Sequence, residues 1–390
     1  MRVGTVADQS ELAAEMLAIL RRHYADPSDL ARTLAVASPA TFKRRTATDP
    51  SLTPPHDVVV ETISKLRLSH TRRYTGHEID YYHLLDTYSA IASFKKQVKA
   101  LFPGGVRYPG IGVLPKPDNS GRWFVSAVVP SGPAYLAGIL AGDELVGSDN
   151  DAYRPVAAFD GKVSTSIAVH YRREAGEHTR TAMVRPVLHK PCSMFLRATR
   201  PSARRIEASP NRIFGYAHPW SLAGARYWQT FVDSVWTVCQ DCDGLILDLR
   251  DSIGGADPAY ADFFIGASPE LRLFSPRGTS PTLVNRRWRK RLIVLVDGST
   301  RSGNEVLAYA LQRAGVPLVG TRTAGAVSAA TPFLLSDHSL LLVATHLVEV
   351  DGVALEGRGV VPDHVVERDL AFSAGTDAQM NAAIGVLVGS

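Results

Sequence analysis

The sequence predicts an α/β chain of several domains: an N-terminal helical unit, a β-rich module and a larger α/β unit on a mostly parallel sheet. Three observations predict it. Apolar residues recur at helical spacing before about residue 103, Gly and Pro punctuate short β-branched runs after it, and from about residue 192 apolar strands alternate with helices. The 390 residues, 45% hydrophobic and 21% charged, suffice for two or three cores.

The elements follow in order. "SELAAEMLAILRRHY" has helical periodicity after Ser10, a candidate N-cap, and "PHDVVVETISKLRL" repeats the pattern, which places a helical domain at 1–103. The texture then changes: "RWFVSAVV" stands among Gly and Pro turns, and a β-rich domain at 104–190 ends just beyond "TRTAMVRPV". In 191–390 the strands are "RIFGYAHPW", "GLILDLR", "RLIVLVD" and "VPLVG". Between them lie the helices "GARYWQTFVDSVWTVC", one from about Pro258, and "NEVLAYALQRAG". Fully apolar strands between helices indicate a parallel sheet covered on both faces. "HSLLLVATHLVEVDGVALEGRGVVPDHVV" reads as a strand pair and a closing Gly/Pro-rich loop.

Composition narrows the function classes. A net charge of +5, from 43 Lys+Arg against 38 Asp+Glu without a long basic run, is too dilute for nucleic-acid binding. No apolar run approaches the ~20 residues of a membrane span, and the N-terminus lacks a secretory pattern, so the expected setting is cytoplasmic with no membrane partner. Cys192, Cys239 and Cys242 make no disulfide framework. Cys239 and Cys242 form a C-x-x-C without a second pair or His cluster, so neither metal nor cofactor is expected. Oligomeric state is left open.

In a parallel α/β sheet, chemistry collects at the carboxyl ends of the strands. Two turns fall there. "DLRDSIGGADP" carries Gly254 and Gly255, which allow bare backbone amides to approach a ligand; "DGSTRSGNE" carries Ser299 and Ser302 before a helix. Amides at a helix start are the donors that an oxyanion hole requires. Ser302 and Glu305 also fit a capping box, the plainer role for that serine. From Arg291 to Ser390 there is no lysine, so a base for a serine nucleophile must come from elsewhere.

At these residues the chain resembles the C-terminal processing (tail-specific) and tricorn-type serine peptidases. "GLILDLRDSIGG", "LVDGSTRSGNEVLAYALQRAGVPLVGTRTAG" and "GRGVVPD" are similar to that family's motifs, in its order, and "VVPSGPAYLAGILAGDELV" is similar to a PDZ core. The resemblance implies a ClpP/crotonase-like catalytic domain, Ser302 as nucleophile, and an oxyanion hole from Gly303 with Gly254 or Gly255. The tail-specific branch places a lysine where this chain has Ala326, so the Ser–Lys dyad is excluded. The tricorn branch instead uses a histidine preceded by serine and a late glutamate, and "KLRLSHTRRYTG" and "ALEGRGVVPD" are similar to those segments. By that likeness Ser69, His70, Ser302 and Glu356 form the site, with His346 and Ser299 as rival base and rival nucleophile. "YPGIGV" resembles a PDZ carboxylate-binding loop, which implies peptide docking at Gly110, Ile111, Gly112 and Val113.

The expected activity is that of a serine endopeptidase acting through an acyl-enzyme on peptides or proteins with an exposed tail. The alternatives are an acyl transferase or peptide cyclase using the same acyl-enzyme, and a catalytically inactive PDZ-type binding protein.

Overall fold

The computed structural model describes residues 6–36, 55–209, 212–267, 271–273, 282–284 and 287–389. The chain is a mixed α/β multi-domain protein. Its central sheet has six strands in the order Arg204–Ser209, Arg212–Ala217, Gly244–Asp248, Arg291–Val296, Leu318–Gly320, His364–Val365. The first pair is antiparallel and all later pairings are parallel. Every residue of Gly244–Asp248 is buried, which is why that strand reads as an unbroken apolar run. The helix Ala225–Cys239 covers one face through Phe231 and Val235, while the C-terminal helix Ala378–Gly389 packs Ala383 and Leu387 on the other.

The stretch after Pro258 forms a 3₁₀ turn, Pro258–Ala261, and one short helical turn, Asp262–Ile265, rather than a long helix. The closing segment contains the strand Leu340–His346, paired with Ala329–Leu334, and a small hairpin of Glu349–Val350 with Val353–Ala354.

The β-rich module is a separate antiparallel sheet whose main path runs Val113–Pro117, Trp123–Val128, Glu144–Ser148, Ile167–Arg172, Arg180–Val184. It encloses its own cluster around Ile111, Val125, Phe159 and Val169.

The N-terminal helices Val6–His23, Pro27–Val36 and Pro55–Lys65 do not close a core by themselves. Met16, Leu20, Val59 and Ile63 pack with Leu335, Leu341 and Val343 of the closing segment. The helix expected to start after Ser10 begins at Val6, so Ser10 lies inside it and is not its cap. A short strand, Arg72–Tyr74, then pairs antiparallel with Leu340–Leu342 and joins the two ends of the chain in one three-stranded sheet. That pairing brings Ser69 beside Glu356, whose carboxylate accepts from the Ser69 amide.

Candidate active site

The turn that carries the candidate nucleophile Ser302 is built at the carboxyl end of Arg291–Val296, where the chain passes into the helix Gly303–Arg313. Ser302 has φ 60° and ψ −136°, a conformation costing a non-glycine residue on the order of 1–3 kcal/mol. Three hydrogen bonds hold that strain in place. The amide of Ser302 donates to Ala326 O at 2.7 Å, while the fully buried Glu305 accepts from the amides of Gly325 and Ala326, each at 2.7 Å. The Thr323 hydroxyl also donates to Glu305, at 2.5 Å. The turn at residues 323–326 is thereby fastened to the helix Gly303–Arg313 through its own backbone amides.

The capping-box reading does not hold. The Ser302 side chain makes no capping bond, because its backbone lies outside the usual cap region, and Glu305 is turned toward residues 323–326. The two candidate serines now separate. Ser299 Oγ accepts from the Asp251 amide at 2.8 Å and donates to Asp297, so its hydroxyl is committed to the loop. Ser302 Oγ, half-buried, has no hydrogen-bond partner among the described residues and faces the glycine turn.

The glycine turn meets this hydroxyl closely. A Cβ on Gly255 would lie 3.8 Å from Ser302 Oγ and 3.7 Å from Gly303 N. On Gly303 it would meet Ala256 N at 2.4 Å. Gly254 instead faces Ala223 and has φ 79°, and its carbonyl accepts from Asn304 Nδ2 at 3.2 Å. Of the expected oxyanion donors, Gly303 and Gly255 therefore stand beside the serine, and Gly254 shapes the turn.

His70 is buried, one residue before the Thr71 hydroxyl that accepts from the Ala344 amide at 3.1 Å. Its Nδ1 lies 3.1 Å from Ser69 Oγ. Glu356 makes no hydrogen bond to the imidazole; it accepts from the amide of Ser69 at 2.7 Å and from those of Val327 and Ser328 at 2.8 and 2.9 Å. Burial alone would raise the Glu356 carboxyl, but the amides of Ser69 and Ser328 outweigh it and hold it below its ordinary value. Glu356 is thus linked to His70 only through Ser69. Burial, then the charge of Arg301, push the His70 imidazole down to about 4, against an upward pull from Glu356. No hydrogen bond joins His70 to Ser302 among the described residues. The rival base His346 is exposed and its Nδ1 lies 3.0 Å from Thr345 Oγ1.

Beside this turn lies a cleft of about 770 Å³ at the junction of all three parts of the chain. Ser299 and Arg301 line it, whereas Ser302 and His70 do not. The β-rich module is fixed along it by Lys116 and Ser126, both bound to the buried Asp251 at 2.5 and 2.6 Å. The four residues expected to dock a peptide, Gly110, Ile111, Gly112 and Val113, are all buried. The carbonyls of Ile111 and Gly112 already accept from Ala134 and Val129. Val113–Pro117 is an edge strand, but Pro115 and Pro117 offer no N–H to an added strand.

Cys239 and Cys242, expected to stay outside any disulfide framework, are paired in a buried disulfide at the end of their helix. No cluster of His, Cys, Asp and Glu suited to a metal occurs among the described residues. No described helix is long and apolar enough to cross a membrane.

A strained, unbonded hydroxyl at a strand-to-helix turn, opposite glycine backbone, belongs to the chemistry of serine hydrolases. The comparisons narrow that class. Residues 214–366 match the model of peptidase family S41. A carboxyl-terminal-processing protease of Synechocystis sp. is 32% identical over 169 residues, covering 38% of each chain. A chloroplastic C-terminal processing peptidase of Tetradesmus obliquus is 28% identical over 263 residues, covering 60% of this chain and 54% of the relative. The chain thus spans well under two thirds of the length of both relatives. Two solved structures share the fold: a photosystem II D1 C-terminal processing protease (TM-score 0.51, 21% identity, 100% of this chain and 98% of the other) and a tricorn protease (TM-score 0.55, 17% identity, 99% and 37%).

Sequence reasoning missed two contributors. Glu305 was visible only as a helix-start glutamate, and its three donors come from a turn 18 to 21 residues away. Arg301, next to Ser302 in the sequence, gave no signal for what it faces.

Proposed function

We propose that this protein is a serine peptidase that hydrolyses peptide bonds in chains with an exposed tail. The observation that carries the reading is Ser302: a free hydroxyl on a strained turn, opposite Gly255 and beside the Gly303 amide. In the proposed sequence Ser302 Oγ attacks the scissile carbonyl carbon and His70 takes its proton. Collapse of the tetrahedral species breaks the C–N bond, and the amine leaves with the proton that His70 held. Water then attacks the acyl ester and frees the carboxylate. The amides of Gly303 and Gly255 would receive the oxyanion. His70 must close on Ser302 when substrate binds, as catalytic hydrogen bonds often do.

Tail docking on the β-rich module belongs to the same proposal. It is restricted to the Val113 end of the edge strand, since the two prolines remove donors farther along. A cytoplasmic setting is also part of it, and the Cys239–Cys242 disulfide weighs against that setting, because reducing compartments rarely keep such bonds.

The test is a fluorophosphonate probe with the adduct located by mass spectrometry. Labelling at Ser302, lost in Ser302→Ala and strongly slowed in His70→Ala, is expected. Labelling at Ser299 would refute the nucleophile. The missing His70–Ser302 hydrogen bond favours one competing reading, a silent peptide-binding protein, and an unlabelled folded protein would establish it. Product masses from a cleaved peptide separate hydrolysis from cyclisation.

A further inference from the structure

Arg301 immediately precedes the nucleophile, is exposed, and lines the cleft. Among the described residues its guanidinium has no ion-pair partner. The other lining cations are engaged: Lys116 with Asp251, Arg72 with Glu78, and Arg368 with Asp251 and Asp297. Asp80 also lines the cleft and forms no ion pair with Arg301 among the described residues. Ile79, Leu114, Pro115 and Trp123 supply apolar wall between these charges. The carboxylates of Asp80 and Glu367 also line the cleft without an ion-pair partner among the described residues, so a bound anion must be held by direct contact and not by the overall charge. An unspent, forked guanidinium suits a planar carboxylate held in that way by two parallel hydrogen bonds.

We propose that Arg301 is the specificity residue of the cleft and binds a carboxylate of the peptide substrate. The proposal rests on the peptidase reading for its substrate class. The carboxylate comes from the peptide's own C-terminus or from an acidic side chain, since both present the same group. Because Arg301 and Ser302 are consecutive, the bound carboxylate fixes the substrate a short distance from the scissile bond. Its negative charge also offsets the Arg301 field at His70, which otherwise disfavours the imidazolium.

The test uses equilibrium binding to the full-length Ser302→Ala protein, so that cleavage is not needed. Three fluorescent hexapeptides are compared: neutral with a free C-terminus, neutral and amidated, and amidated with one internal Glu. One or both carboxylate peptides should bind about 10-fold or more tightly than the neutral amide, as charge-assisted bonds to guanidinium allow. Which of the two gains affinity identifies the source. Adding Arg301→Gln should abolish the preference, Arg301→Lys should retain part of it, and Asp80→Asn should strengthen it by removing an opposing anion. Thermal melts confirm that each variant is folded. Equal binding of all three peptides, no binding at about 1 mM, or a preference that survives Arg301→Gln would each overturn the proposal. Probe labelling of the unaltered protein separates the two ideas. Labelling without a carboxylate preference leaves a peptidase without this subsite, and the preference without labelling leaves a carboxylate-peptide site without hydrolysis.

Discussion

Acidification should leave Ser302 reactive well below the pH at which an ordinary histidine base fails. The imidazole of His70 sits at about 4 instead of 6.5, chiefly because it is buried, with Arg301 adding to the depression and Glu356 opposing it. That difference corresponds to ~3.4 kcal/mol favouring the neutral base. At pH 5.5 a base of pKa ~4 is about 97% neutral, against about 9% for one of pKa ~6.5, a tenfold contrast in available base. The assay is the second-order rate of fluorophosphonate labelling between pH 4 and 8, with circular dichroism at each pH to establish that the fold persists. Half-maximal reactivity is expected between about pH 4 and 5, because the free-enzyme profile reports the uncomplexed base. Glu356→Gln should move it lower, since the carboxylate that supports the imidazolium is gone. A half-maximal pH of 6 or above in folded protein would refute the assignment of His70 or of its buried environment.

Other consequences are read chiefly in stability. Burial lowers His83 to about 3 and His189 and His70 to about 4, so the unfolded chain takes up these protons first as pH falls below ~6.5. Stability is present above that pH and is lost toward pH 4, with a slope of up to about 4 kcal/mol per pH unit where all three contribute, measurable by urea titration. Glu305→Ala strands the amides of Gly325 and Ala326 in the interior and should cost about 2–4 kcal/mol while slowing labelling of Ser302. Arg250→Ala leaves the buried Asp248 and half-buried Asp377 unpaired and should cost about 3–5 kcal/mol in chemical denaturation. The Cys239–Cys242 bond closes so short a loop that its reduction should cost no more than about 2 kcal/mol, seen as a small drop in Tm under dithiothreitol.

The central sheet was legible because its strands are either wholly apolar or bounded by Gly turns, a local pattern that needs no partner to be read. Ser302 and its glycine neighbours were legible for the same reason, since they follow the strand Arg291–Val296 directly. The strand Arg72–Tyr74 was not. Three residues, "RRY", carry no alternation, and their pairing with Leu340–Leu342 is decided by partners at the far end of the chain. The reach of Glu356 to Ser69 was hidden likewise, and so was the Cys239–Cys242 bond, because spacing alone does not say whether a C-x-x-C is oxidised. Ser302 as a cap failed for a different reason: the capping pattern describes a relaxed helix start, and the left-handed backbone of Ser302 overrides it.

The short strand at Arg72–Tyr74 has one more consequence, for the order in which the molecule becomes active. Residues 69 and 70 leave the ribosome well before their anchors at Leu340–Leu342 and Glu356, which lie some 270 and more residues further along the chain. A nascent or prematurely terminated chain that stops before residue 340 holds the serine and the histidine but nothing to bring them together. In the proposed peptidase, self-cleavage during biosynthesis is thereby held off by chain connectivity until these anchors have been made.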